Sequence, residues 1–128
     1  MDSGNAPTPS AVVVAADEET RVLLRGLLRL HHCRVLGEAE GMTQALNLIA
    51  DQHPNLLVAD SALAEGSLDA LLRALSKATD RPRTIVVAPP DRDVTRTPQP
   101  DAVLHRPFRI REFAQALGDH SSAPSPPV

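Results

Sequence analysis

Short apolar runs that alternate with helix-like segments are the feature that most constrains how this chain can fold. Continuous apolar runs occupy residues 11–15, 56–59 and 84–88, and such runs are typical of strands buried on both faces of a sheet. Between them lie segments whose apolar residues recur at helical spacing. This alternation predicts a parallel sheet with helices packed on both of its faces.

Capping residues as well as apolar stripes mark the first two predicted helices. Asp17 is a good N-cap for the first helix, and Glu18 and Glu19 suit the positive end of its dipole. Gly41 precedes the second helix, which Pro54 ends. The inward stripes are predicted to be Leu23, Leu24, Leu27 and Leu28 in the first helix and Met42, Ala45, Leu46 and Ile49 in the second.

A third helix and a last helix carry similar stripes. Ser67 is the predicted N-cap of the third, and the last follows Pro107. The inward residues are predicted to be Leu68, Leu71, Leu72 and Leu75 in the third helix and Ile110, Phe113, Ala114 and Leu117 in the last.

Two shorter strands are predicted at 33–37 and 102–104, which brings the sheet to five strands. The segment 89–100 precedes the fifth strand and contains prolines at both of its ends. Because proline interrupts a helix, the helix that would connect the fourth and fifth strands is predicted to be short or missing.

Composition places one folded unit between flexible ends. Residues 1–10 and 119–128 are rich in Ser and Pro and lack apolar periodicity, so the folded unit is predicted to span 11–118. With 128 residues and 42% hydrophobic content, the chain has enough apolar material for a single core.

The same composition argues against several classes of function. Aromatic residues make up only 2% of the chain and the net charge is −3, which disfavours direct binding of nucleic acid. No apolar run approaches the ~20 residues that cross a membrane, and no signal peptide is recognisable, so a cytoplasmic protein is expected. The single cysteine, Cys33, cannot form an internal disulfide.

Motifs for enzymatic chemistry are also lacking. The cluster His31-His32-Cys33 has no matching second ligand pair, and its adjacent side chains point in different directions, so we interpret it as a helix end entering a strand. The sequence contains no phosphate-binding glycine loop and no nucleophile elbow. We therefore expect no enzyme that acts on an outside substrate.

In an open parallel sheet, reactive groups collect at the carboxyl ends of the strands, near the point where the strand order reverses. Four positions of this sequence fall at such ends. They are Ala15-Ala16, Asp60, Ala88 and Arg106.

The order and spacing of these segments resemble the receiver domain of bacterial response regulators, most closely receivers of the NarL/LuxR type. The resemblance rests on the separation of 44 positions from Ala16 to Asp60, on the turn 37–41, on the third strand 54–60 and on Arg106-Pro107-Phe108, which is similar to the family's Lys-Pro-Phe. It implies a flavodoxin-like (CheY-like) α/β fold with five parallel strands in the order 2-1-3-4-5.

The resemblance also implies roles for the four strand ends. Asp60 occupies the phosphoacceptor position and Arg106 the position of the family's lysine. The family's magnesium-binding acids are replaced by Ala15 and Ala16, and its Ser or Thr by Ala88.

These replacements predict a weakened phosphorylation site. Magnesium needs oxygen ligands, which alanine side chains lack, so weak or absent Mg²⁺ binding is expected and no cofactor is predicted. Asp17 is a candidate substitute acid. Arg106 could grip Asp60 through two hydrogen bonds. Val103 stands where the family often has a switching aromatic residue.

Three interpretations follow. The preferred one is an atypical receiver that signals through protein contacts, with phosphorylation at Asp60 weakened or lost. The alternatives are a functional phosphoacceptor fed by a histidine kinase, with Asp17 as the substitute acid, and a scaffold or partner subunit that reuses the fold. The expected partner is a protein: a histidine kinase, an output or regulatory protein, or a second copy of this chain.

Charge is unevenly distributed along the chain. Residues 81–111 contain seven arginines and three aspartates, so the remainder of the chain is acidic. An acidic partner surface could contact this basic part. A scattered, solvated set of arginines is the alternative.

Overall fold

A computed structural model describes residues 9–78, 81–90 and 100–118. Five strands and four helices lie in these ranges. The strands are β1 (Ser10–Val14), β2 (Arg34–Ala39), β3 (Leu56–Asp60), β4 (Arg83–Ala88) and β5 (Ala102–His105), and the helices are α1 (Glu18–Leu30), α2 (Met42–Gln52), α3 (Leu68–Ser76) and α4 (Ile110–Gly118).

The strands form one sheet in the order β2-β1-β3-β4-β5, and every neighbouring pair is parallel. This arrangement confirms the predicted flavodoxin-like fold. The chain adds β2 on one side of β1 and then returns to place β3 on the other side. The strand order therefore reverses between β1 and β3, where a site is expected at the carboxyl edge.

Alternate residues of each central strand face two separate apolar layers. Val12 and Val14 of β1 lie in one cluster with the inward residues of α2 and α3. Ala11 and Val13 lie in the other cluster with the inward residues of α1 and α4. Because strand side chains alternate between the two faces, continuous apolar runs are what a sheet covered on both sides requires.

Two residues of the predicted inward stripes face solvent instead. Leu23 is 52% exposed, because the buried arc of α1 is centred on Leu24 and Leu28 and consecutive helical residues lie about 100° apart. Ile110 is 57% exposed, because it begins α4 at the rim of the sheet, before that helix reaches the core with Phe113.

The observed boundaries of several elements differ from the predicted ones by one or two residues. Ser10, predicted with the N-terminal segment, is the first residue of β1, where its N–H donates to the side chain of Asn55. β2 runs to Ala39, two residues beyond its predicted end, whereas β3 ends at Asp60 as predicted. The prediction of a short or missing helix after β4 falls largely on residues 91–99, outside the described residues, and so do residues 1–8 and 119–128 of the predicted ends.

Among the described residues, no helix has the length and apolarity needed to cross a membrane.

Candidate functional site at the carboxyl edge of the sheet

Asp60 is the last residue of β3 and lies at the point where the strand order reverses. Its side chain is only 4% exposed, although the strand end itself opens onto loops. A carboxylate buried to this degree needs partners, since desolvation of an unpaired charge is costly. The site is therefore described by the groups that contact the Asp60 carboxylate.

The two carboxylate oxygens of Asp60 have different partners. Oδ2 accepts a hydrogen bond of 3.3 Å from the N–H of Ala62. Oδ1 lies 3.2 Å from an Nη atom of Arg106, which confirms the predicted ion pair. Among the described residues, however, Oδ1 has no hydrogen-bond partner, because an ion pair requires only proximity whereas a hydrogen bond also requires alignment.

The predicted grip by two hydrogen bonds is therefore wrong. Arg106 follows β5, and β4 lies between β5 and the strand that carries Asp60. The arginine must reach across about 10 Å of sheet, two inter-strand spacings. Its side chain brings one nitrogen to within 3.2 Å of one carboxylate oxygen and stays 36% exposed. The peptide bond between Arg106 and Pro107 is cis.

Ala15 and Ala16 follow β1 and contribute only methyl groups and backbone. Ala15 is fully buried, and its N–H donates to the carbonyl oxygen of Ala39. The N–H of Ala16 donates to the carbonyl oxygen of Ala62 over 3.1 Å. The loop after β1 is thus tied directly to the loop after β3, backbone to backbone.

Arg21 belongs to this site, although the sequence analysis did not identify it. Its guanidinium donates to the carbonyl oxygens of Ala15 and Ala16 over 2.7 and 3.1 Å. It also lies 3.8 Å from the carboxylates of Glu38 and Glu40 at the end of β2. The available signal was its position, because a charged residue three and seven places before Leu24 and Leu28 lies on the inward arc and needs partners there.

Asp17 serves as the N-cap of α1. One oxygen of its carboxylate accepts from the N–H and from the hydroxyl of Thr20, over 3.0 and 3.1 Å. The capping prediction is confirmed. A carboxylate held this way satisfies the helix end.

Ala88 and Val103 complete the edge on the β4 and β5 side. Ala88 is fully buried, and its carbonyl oxygen accepts from the N–H of Arg106 over 2.8 Å. Val103 is half-buried and packs against the apolar layer that includes Ala88. No hydroxyl and no aromatic ring stands at these two positions, so this side of the edge is held by backbone pairing and apolar packing.

The residues at this edge do not fit a magnesium ion. Such an ion takes oxygen ligands in octahedral geometry and is usually held by one or two carboxylates together with waters. Asp60 is the only buried carboxylate within the described ranges, and Arg106 already serves as its counter-ion. The carbonyl of Ala62 already accepts from Ala16. No group of three or more His, Cys, Asp or Glu side chains among the described residues could hold a metal.

The loop after β3 is fixed from its other end by Glu65. One oxygen of this carboxylate accepts from the N–H of Thr43 and the other from its hydroxyl, both over 2.9 Å. The hydrogen bond from the Thr43 N–H, followed by that from its hydroxyl, lowers the pKa of the Glu65 carboxyl below its ordinary value. Glu65 thereby caps the start of α2, where Gly41 offers no side chain to do so.

No model of a known protein family and no curated protein matches the sequence. Solved structures do match its fold. A CheY-like receiver domain from Methylobacillus flagellatus superposes with a TM-score of 0.79 at 17% identity, covering 88% of this chain and 98% of that one. The receiver domain of an HD domain-containing protein from Pseudomonas fluorescens Pf-5 gives 0.77 at 21% identity, covering 91% and 100%.

RcsB from Salmonella enterica serovar Typhimurium, bound to promoter DNA in its structure, gives a TM-score of 0.78 at 13% identity. The match covers 90% of this chain but 61% of the RcsB chain, so this chain spans less than two thirds of RcsB. At such identities the similarity shows the fold alone. The chain has the fold of response regulator receiver domains.

Proposed function

We propose that this chain is a receiver-type signalling module that works through protein contacts and does not depend on phosphoryl transfer to Asp60. The observation that carries the proposal is the ion pair between the buried Asp60 and the partly exposed Arg106, at an edge where alanines replace the acids. Phosphoryl transfer needs cations that neutralise developing charge on the phosphoryl oxygens. Here the carboxylate already has its counter-ion, and the geometry that would hold magnesium is missing.

In this proposal Arg106 fixes the arrangement of the strand ends permanently, whereas in a signalling receiver metal and phosphorylation fix it transiently. It holds the ends of β3 and β5 in one arrangement, and the bonds from Arg21 and Ala16 hold the end of β1. The protein turns over no substrate. Its partner is a histidine kinase or an output or regulatory protein in the cytoplasm, bound without direct contact to nucleic acid.

A metal and phosphodonor titration tests the proposal. With Mg²⁺ and a small phosphodonor, the unaltered chain should show no saturable amide shifts around Ala16, Asp60 and Arg106 and no gain in mass. The double variant Ala15→Asp/Ala16→Asp is the matched control, because it restores both carboxylates and should bind Mg²⁺ measurably. Saturable metal binding or a phosphoryl group on the unaltered chain, absent in Asp60→Asn, would refute the proposal.

One observation favours the alternative of a working phosphoacceptor. Asp60 Oδ1 is buried and has no hydrogen-bond partner among the described residues, so the hydrogen-bonding capacity of one carboxylate oxygen is left unsatisfied at the strand end. In this alternative Asp17 would leave its cap to supply the missing charge. The same titration separates the two functions.

A pair of substitutions at Asp17 tests its role directly. Asp17→Ala should lower the free energy of unfolding by about 1 kcal/mol, because the cap of α1 is lost, and Asp17→Ser should retain most of it. Urea unfolding measures both changes. If Asp17 instead supplies a metal ligand, both variants should lose a Mg²⁺-dependent gain in stability that the unaltered chain shows.

A further inference from the structure

The outward face of α1 is apolar as well as its inward face. Four large hydrophobic residues are exposed among the described residues, and three of them lie on this helix: Val22 at 46%, Leu23 at 52% and Leu30 at 59%. The inward face is already occupied by Leu24 and Leu28. A helix that is apolar on both sides is normally covered on both sides.

A glycine stands at the centre of this outward face. Gly26 lies between Val22 and Leu30 in the middle of α1, a position where glycine is unfavourable relative to alanine. A Cβ atom added to Gly26 would meet no atom of the chain within 4 Å. Packing within the described chain therefore gives no reason for the glycine, whereas close approach of a helix from outside would give one.

The charges of α1 complement those of the same helix in reverse direction. Glu18 and Glu19 lie in its first turn and Arg29 in its last turn. In an antiparallel pair of two such helices, the acidic end of each lies beside the basic end of the other. Neither Glu19 nor Arg29 takes part in an ion pair within the described part of the chain, so both charges are available.

The apolar face continues beyond α1 into a groove beside α4. The groove has a volume of about 620 Å³, and its lining is apolar apart from one arginine: Leu23, Leu27, Pro90, Arg106, Pro107, Phe108 and Ile110. A helix of 13 residues is only about 20 Å long, which is short for the ~800 Å² that each partner of a stable complex usually contributes. The groove supplies the additional surface.

We propose that α1 packs antiparallel against α1 of a second copy of this chain, with the helices crossing near Gly26. The two-fold symmetry makes the interface isologous, so each copy presents the same face. The inference deepens the proposed contact function by naming one partner and its surface. Arg106, the partner of Asp60, also lines the groove, but the variants that test the interface lie on α1, so failure of one proposal can be told from failure of the other.

Sedimentation of the purified chain over a range of concentrations tests the interface. The unaltered chain should approach twice the monomer mass as concentration rises. Arg29→Glu should weaken association about tenfold, because each dimer loses two ion pairs and gains two repulsions. The double variant Glu19→Arg/Arg29→Glu should restore it, and an equimolar mixture of the single variants Arg29→Glu and Glu19→Arg should form heterodimers.

Arg73→Glu is the matched control, since Arg73 is the basic residue in the last turn of α3 and lies on another face. It should leave association unchanged. Gly26→Leu should abolish association while the monomer stays folded, as circular dichroism would show. A chain that stays monomeric at every concentration would overturn the proposal, as would a dimer that Arg29→Glu and Gly26→Leu leave intact.

Discussion

At the scale of single residues, the site is governed by the cost of one buried carboxylate. Asp60 ends a strand whose side chains are otherwise apolar, and only 4% of its own side chain is exposed. The Ala62 N–H and Arg106 offset the loss of water. Arg106 suits this task better than a lysine of the same reach, since it stays charged and offers several donors in a plane.

Arg106→Ala should destabilise the fold, because Asp60 would then be a buried charge without a counter-ion. We expect a loss of about 1–3 kcal/mol in the free energy of unfolding, at the lower end because Arg106 is partly exposed. Urea unfolding measures the loss, and amide exchange should rise in the loops after β3 and β4.

Arg106→Lys is the control for charge, and the double variant Asp60→Asn/Arg106→Ala is the control for pairing. Lysine should recover part of the loss. The double variant should be more stable than the sum of the two single changes predicts, since an amide leaves no buried charge. Additive losses would show that Arg106 stabilises the fold by packing alone.

At the scale of elements, the loop between β3 and α3 is the part of the site with the most connections. It binds Ala16 at one end, and at the other Glu65 caps α2 while Ser67 caps α3. Gly66 has a φ of 78°, and a Cβ there would lie 2.6 Å from the Cβ of Met42. Only glycine fits this turn, so the loop has little freedom to rearrange.

The cap made by Glu65 predicts a dependence of stability on pH. Because its pKa is lower in the folded state than its ordinary value of 4.5, its contribution is fully present above that value and is lost as pH falls through the folded pKa. Glu65→Gln should therefore be less stable than the unaltered chain at neutral pH, and the difference should shrink in acid.

Urea midpoints at neutral and acidic pH measure this difference. Asp51→Asn is the matched control, because Asp51 is an exposed acid on α2 whose only described contact is the neighbouring amide of Gln52. It should show little difference at either pH. An equal gap between Glu65→Gln and the unaltered chain at both pH values would contradict a role for the ionised carboxylate.

At the scale of the whole molecule, two apolar layers enclose the sheet. Cys33 lies in one of them, so its reactivity measures how often that layer opens. The thiol lies in the layer beneath α1 and α4 and is 6% exposed. Burial raises its pKa above the ordinary value of 9.0, which lowers the fraction of reactive thiolate. Access and ionisation both oppose reaction in the folded state.

Cys33 should therefore react with a thiol reagent only when the molecule opens. We expect slow labelling of the folded chain near neutral pH and rapid labelling in denaturant, with the folded rate rising in Arg106→Ala as stability falls. Mass spectrometry of the labelled fraction over time measures both rates. Equal rates for the folded and the unfolded chain would show that the layer is open at this point.

The sequence by itself determined the elements and their order. Short apolar runs that alternate with helical stripes are typical of central parallel strands, and caps such as Asp17 and Ser67 act through neighbours three positions away. It also determined that Asp60 and Arg106 meet, because parallel strands end at the same edge. These features depend on local chemistry and on the order of the elements, and both can be read from the sequence.

Only the tertiary structure decided how the side chains at that edge share their partners. The single contact of Arg106 depends on β4 lying in between, and the position of Arg21 depends on how α1 is rotated against the sheet. The exposure of Leu23 depends on the same rotation. A helical stripe has a width of more than 100°, so the pattern fixes the face only to within one residue, and packing selects which residue at its margin is buried.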